Sequence, residues 1–194
     1  MRDEFLVFGA PLIEEAEIDE VAASMRSGWL GTGPKVARFE QEFRDYVGSA
    51  HAVAVNSCTA ALHLAMVAAR LEPGDEVITT ALTFCATVNA IIHAGARPVL
   101  VDVDPVTMNM DAGQVKARIT ERTRAIVPVH FAGRPCDMDA LSEIAGRHGL
   151  TLIEDCAHAI EAEYRGRKVG TFGDFGCYSF YVTKNVAAAS SFHS

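Results

Sequence analysis

The sequence predicts an α/β protein, a three-layer sandwich built on a mostly parallel sheet. Three observations predict it. Short apolar segments alternate with helical ones from residue 51 onward, and several of them are apolar throughout, as strands covered on both faces must be. Polar residues then gather at the C-terminal ends of those segments.

Taken in order, Ile18, Val21 and Met25 recur at helical spacing after Glu14 and stop at Gly28, which predicts a surface helix. A second amphipathic helix carries Val36, Phe39, Phe43 and Val47 on one face and ends at Gly48, with SGWLGTGP as the loop between the two. The predicted strands are HAVAV (51–55), EVITT (76–80), RPVLVDV (97–103), RAIVPVH (124–130) and LTLIED (150–155). Turn residues separate them, as in EPGDE before the second and HAGARP before the third, and there is no internal repeat or low-complexity tract. Residues 1–50 therefore read as an N-terminal helical segment with its loop, and 51–194 as one domain built on the sheet.

Composition excludes several classes. A net charge of −8, from 17 Lys+Arg against 25 Asp+Glu, provides no basic field for nucleic acid. No apolar run approaches the roughly 20 residues that span a bilayer, and MRDEFLVFGAP lacks the basic and apolar regions of a secretory leader, so a cytoplasmic protein without membrane partners is expected. Cys58, Cys85, Cys136, Cys156 and Cys177 are odd in number and widely spaced, which predicts buried, reduced thiols and no zinc site. His51, His93, His130 and His148 show no metal-ligand spacing, and His63 reads as structural, so no metal is expected.

In open α/β sheets ligands bind outside the carboxyl ends of the strands, so Asn56-Ser57, Thr83-Phe84, His130 and Glu154-Asp155 are expected to face one crevice. Three motifs there carry chemistry. NSCTAALHLA runs from a strand end into a helix, where Ser57, Thr59 and the Ala60 amide suit either a phosphate or a plain helix cap. LIEDCAHA ends a strand with an acidic pair, and Asp155 suits the ring nitrogen of a pyridine cofactor, a Mg²⁺ ion or a helix cap. GDFGCYSFYVTKN places Lys184 behind an aromatic-rich strand, where partial desolvation would favour Schiff-base chemistry. Lys168, following RGR in a hairpin, is the rival lysine and reads as solvated.

Phosphate cradle, pyridinium carboxylate and lysine occur in the order required by a pyridoxal 5'-phosphate (PLP) site of the aspartate-aminotransferase type. With SGWLGTGP, NSCTAALH, GDEVIT, TFCATVNAI, PVHFAG, IEDCAHA and SFYVTKN, the chain resembles the DegT/DnrJ/EryC1/StrS family of PLP-dependent sugar aminotransferases over nearly all of residues 5–186. The resemblance implies a fold type I large domain for 51–194, with Lys184 as the Schiff-base lysine and Asp155 as the ring-nitrogen partner. It also implies that Ser179 joins Ser57, Thr59 and Ala60 around the phosphate. Phe84 would stack on the ring or sit in the core, and His158 would approach the 3-hydroxyl or be a satisfied buried histidine. Thr32 lies in the loop that faces substrate in relatives.

The implied reaction moves an amino group from an amino acid, glutamate, to a keto group of a nucleotide-diphosphate sugar, within a cytoplasmic homodimer making amino sugars for polysaccharides or antibiotics. Lysine at 184, where a dehydrating branch of the family carries histidine, implies transamination. After Lys184-Asn185 the family continues through a Gly-rich turn into a small C-terminal domain, whereas this sequence reads VAAASSFHS and stops. That implies a chain truncated after the lysine, and the alternative reading is a catalytically incomplete PLP-binding or interaction fragment.

Overall fold

The computed structural model describes residues 11–184 and Val186. They divide into two compact units, one from the described residues of 1–56 and 180–194, the other from 57–179.

The larger unit is the predicted sheet. Strands β1 (Glu76–Thr80), β2 (Arg97–Val101), β3 (Thr123–Val127), β4 (Thr151–Cys156) and β7 (Phe175–Tyr178) pair in the order β2-β1-β3-β4-β7, every pair parallel. The two-residue strands β5 (Glu163–Tyr164) and β6 (Arg167–Lys168) form a separate antiparallel hairpin. Because β1 has β2 on one side and β3 on the other, the winding reverses between β1 and β3. A reversal of that kind opens a crevice at the carboxyl ends of the strands.

Period-2 alternation divides the strand residues between two cores. Val77, Ala125, Val127 and Ile153 pack with Leu62, Met66 and Ile91 of helices α3 (Cys58–Ala68) and α4 (Cys85–His93). Ile78, Ile126 and Leu152 pack on the opposite side with Val115 of α5 (Ala112–Arg118) and Met138, Leu141 and Ala145 of α6 (Met138–His148). The middle strands are buried from both sides, which is why they read as continuous apolar runs.

Pro128 ends β3 because it has no amide to donate. The register survives it. Ala125 pairs with Thr151, Ile126 with Leu152 and, beyond the proline, Val129 bridges Asp155. The Asp155 amide donates to the Pro128 carbonyl at 2.9 Å, and the His130 amide donates to the Asp155 carbonyl at 3.1 Å.

In the smaller unit, α1 (Glu15–Ser27) ends at Gly28 (φ 71°) and α2 (Pro34–Val47) at Gly48 (φ 76°), both left-handed conformations that suit glycine. The apolar face of α2 receives Phe180, whose ring meets Phe39 and Phe43 edge-on at 5.1 and 5.4 Å between centroids. That contact fixes the segment leading to Lys184.

One predicted strand is not formed. Residues 51–55 lie outside any strand among the described residues, Val53 and Val55 are exposed, and the Ala54 amide donates to Glu40 Oε1 at 2.8 Å. Alternating apolar residues become a strand only where a neighbour offers a ladder, and here a side-chain carboxylate takes the amide instead. The other four strands form: 76–80 has the expected bounds, and the ends of the other three differ from expectation by at most three residues.

Candidate active site

Asp155 follows Ile153 by two residues on β4 and therefore faces the α3/α4 side. Its main chain is held on both flanks, by Pro128 and His130 on one side and by register with Cys177 of β7 on the other. The residue is only 4% exposed. Oδ2 accepts from the Thr87 hydroxyl at 2.8 Å and Oδ1 from the Ala157 amide at 3.1 Å. Burial pushes the carboxyl above the usual aspartate range, and the Thr87 and Ala157 hydrogen bonds pull it part of the way back. No Lys or Arg among the described residues pairs with it. A buried carboxylate with two neutral donors and no Lys or Arg partner among the described residues suits a ligand that brings positive charge.

Glu154 points the other way. Its Oε1 accepts from the Phe172 and Gly173 amides and its Oε2 from the Gly170 amide, each at 2.7 Å, and His130 Nε2 lies 3.0 Å from Oε2. His130 Nδ1 accepts from the Cys136 amide at 3.1 Å, so the ring proton sits on Nε2 and is donated to Glu154. Both side chains are fully buried. The expectation that His130 and Glu154 face the crevice is thus corrected: successive residues of a strand point to opposite faces. Glu154 ties the 170–173 loop, and through it β7, to the sheet.

His130, Glu154 and Cys156 offer donor atoms within 4.8 Å of one another. They do not fit a metal. Both ring nitrogens and both carboxylate oxygens are already hydrogen-bonded, and burial raises the Cys156 thiol well above its ordinary value, against the thiolate a metal needs. The opposed directions of Glu154 and Asp155 likewise remove the paired carboxylates that would favour Mg²⁺ at Asp155.

Of the remaining predicted residues, Ser57 is the N-cap of α3, its hydroxyl accepting from the Ala60 amide at 3.1 Å. Thr59 beside it is exposed. Phe84 caps α4 and is 74% exposed, which discards the core reading and leaves an aromatic face open to a planar ring. His158, in the turn after β4, meets the Phe131 ring at 6.5 Å between centroids and exerts a lowering influence on the Asp155 carboxyl. Ser179 is half-buried just past β7. Ser57, Thr59, Ala60, Phe84, Asp155, His158 and Ser179 all belong to the larger unit.

Thr87 was not singled out from sequence. Its signal was its spacing: it lies four residues after Thr83 in a helix start, the separation at which two side chains meet, and the two hydroxyls stand 2.7 Å apart.

Lys184 and Thr32 belong to the smaller unit. Lys184 is half-buried, its amide donates to the Tyr181 carbonyl at 2.8 Å, and it makes no ion pair among the described residues. Thr32 is exposed, and its carbonyl accepts from Trp29 Nε1 at 3.0 Å. Asn185 and 187–194, like residues 1–10, lie outside the described residues.

Two expectations need correction. Lys168 is not solvated: its side chain is only 18% exposed and Nζ lies 3.3 and 3.5 Å from Glu163 and Glu161, because the hairpin folds it onto those carboxylates. The cysteines form no disulfide among the described residues, but only Cys136, Cys156 and Cys177 are buried; Cys58 is half-buried and Cys85, on the first turn of α4, is exposed.

With this geometry in view, the pattern of the DegT/DnrJ/EryC1/StrS aminotransferase family matches residues 11–191. The chain belongs to that family. It is 54% identical over 186 residues to the spore coat polysaccharide biosynthesis protein SpsC of Bacillus subtilis, covering 96% of this chain and 48% of that protein. Among solved structures it superposes on Spr1654 from Streptococcus pneumoniae in its PLP form with a TM-score of 0.92 at 37% identity, covering 95% of this chain and 51% of the other. DesI in the presence of its TDP-sugar product superposes with a TM-score of 0.87 at 40% identity, covering 96% and 48%. The chain spans about half the length of the family relatives it matches.

Proposed function

We propose that this chain is the cofactor-holding part of a PLP-dependent sugar aminotransferase, which moves an amino group from glutamate to a keto group of a nucleotide-diphosphate sugar. The observation that carries the reading is Asp155, a buried carboxylate held by two neutral donors and lacking a Lys or Arg partner among the described residues. Family membership and the likeness to a protein solved with its TDP-sugar product support the substrate class. The likeness to SpsC supports a place in polysaccharide synthesis. A second copy of the chain is the expected partner.

Bound PLP would supply a pyridine ring able to accept electrons from the substrate carbon. In this reading Asp155 would keep a proton on the ring nitrogen, Phe84 would cover a ring face, His158 would approach the 3-hydroxyl, and Ser57, Thr59, Ala60 and Ser179 would hold the phosphate. Lys184 Nζ would hold the cofactor, and its amine would carry the proton from the donor α-carbon. Thr32 touches the sugar.

The chain has four lysines, Lys35, Lys116, Lys168 and Lys184. Lys35 is paired with Glu20 at 2.9 Å and Lys168 with Glu161 and Glu163, so both ammonium groups already have carboxylate partners. Lys116 lies exposed in the last turn of α5. The test is an absorbance scan with PLP, borohydride reduction and peptide mapping. The cofactor is expected on Lys184, and Lys184→Ala should abolish both the visible band and turnover with glutamate and a keto sugar. A label on any other lysine refutes the reading.

A further inference from the structure

Asp155 has a partner whose direction can be worked out from the geometry. An ionised carboxylate only accepts hydrogen bonds, so the single hydroxyl proton of Thr87 is committed to Asp155 Oδ2 at 2.8 Å. The 2.7 Å contact between the Thr83 and Thr87 hydroxyls can then run one way only, with Thr83 donating to Thr87. Thr87 is fully buried and sits three residues into α4, with its side chain on the face turned toward β4.

We infer that Thr87 is a positioning residue: together with Thr83 it forms a one-way hydrogen-bond chain that orients the Asp155 carboxylate and keeps it ionised for the ring nitrogen of the cofactor. The inference rests on the function proposed above for Asp155 and adds the residues that make Asp155 fit for it.

The chain is needed because of what surrounds Asp155. Burial disfavours its charge, and the other groups near it are His158 in the following turn, His130 beyond the end of β3, and the buried thiols of Cys156 and Cys177. His130 is committed to Glu154 and Cys136 through both ring nitrogens. A donor from α4 is then the strongest local support for the anion, and a preceding donor strengthens it by polarising the Thr87 hydroxyl. The bond also fixes the χ2 angle of the carboxylate, since Oδ1 is already held by Ala157.

The test compares Thr87→Val, which keeps the shape and removes the hydroxyl, with Thr87→Ser, which keeps the hydroxyl. One readout needs no cofactor: carbon-13 NMR titration of the Asp155 carboxyl, assigned by its loss in Asp155→Asn. Thr87→Val is expected to raise that titration by about one pH unit or more, Thr83→Val to raise it less, and Thr87→Ser to leave it near the parent. The second readout is the PLP dissociation constant, expected to weaken about tenfold or more in Thr87→Val and to recover in Thr87→Ser. An unchanged Asp155 titration in Thr87→Val, or Thr87→Ser as impaired as Thr87→Val, overturns the inference. If instead Asp155→Asn binds PLP as tightly as the parent, the functional reading of Asp155 fails, and the titration alone still decides what Thr87 does to the carboxylate.

Discussion

Replacing Glu154 by glutamine changes one oxygen to an amide nitrogen, and the structure makes that change expensive. The carboxylate accepts four hydrogen bonds, two on each oxygen, from the Gly170, Phe172 and Gly173 amides and from His130. Glutamine keeps one acceptor and turns the other end into a donor facing donors. If the nitrogen takes the Oε2 place it confronts the Gly170 amide and the His130 Nε2 proton. His130 cannot shift that proton to Nδ1 without losing the Cys136 bond. If it takes the Oε1 place it confronts the Phe172 and Gly173 amides. Either way two charge-assisted hydrogen bonds are lost, at about 1.5–3 kcal/mol each, which sums to about 3–6 kcal/mol against a total stability of about 5–15 kcal/mol. Urea denaturation of the cofactor-free protein, followed by circular dichroism, measures it. The midpoint should fall steeply, or the variant should fail to fold at room temperature. A Glu154→Gln variant within about 1 kcal/mol of the parent would refute the view that this carboxylate organises the 170–173 loop.

Its neighbour should behave in the opposite way. In the cofactor-free protein the Asp155 carboxyl lies above its unfolded value, so its contribution to stability is present below about pH 3.9 and is lost as pH rises through the folded value. Asp155→Asn removes that penalty, and the amide can accept from Ala157 while donating to Thr87 if the Thr87–Thr83 bond reverses. Denaturation midpoints should therefore move in favour of the asparagine variant between about pH 4 and about pH 8, and a gap that moves in favour of the parent would contradict the argument. Ser57→Ala should cost about 1 kcal/mol, read by thermal denaturation, because it removes the side-chain acceptor from the Ala60 amide at the start of α3. Gly176→Ala should cost about 3 kcal/mol, since its methyl would run into the Gly170 backbone, which cannot swing aside as a side chain could. Soluble expression and a denaturation midpoint close to the parent's would show that the loop has room to move.

Much of this protein was written in local pattern. Strands β1 to β4, both N-terminal helices with their glycine stops, and the chemical order of Ser57, Asp155 and Lys184 follow from periodicity and turn chemistry, which depend on neighbours in sequence. Residues 51–55 show the limit of that information, because a strand exists only where another strand meets it, and partners are a property of the whole fold. The division of labour between Glu154 and Asp155 was half legible: alternation puts them on opposite faces, but only tertiary structure decides which face holds His130 and the 170–173 amides and which holds Thr87. Lys168 became an ion-paired residue where its hairpin folded it onto Glu161 and Glu163, and Thr87 a partner of the key carboxylate through contact with a side chain distant in the chain. Sequence by itself determined which chemical groups this protein owns and the order in which they occur. The tertiary structure decided their charge states and companions, because burial and hydrogen bonding act between residues that folding brings together.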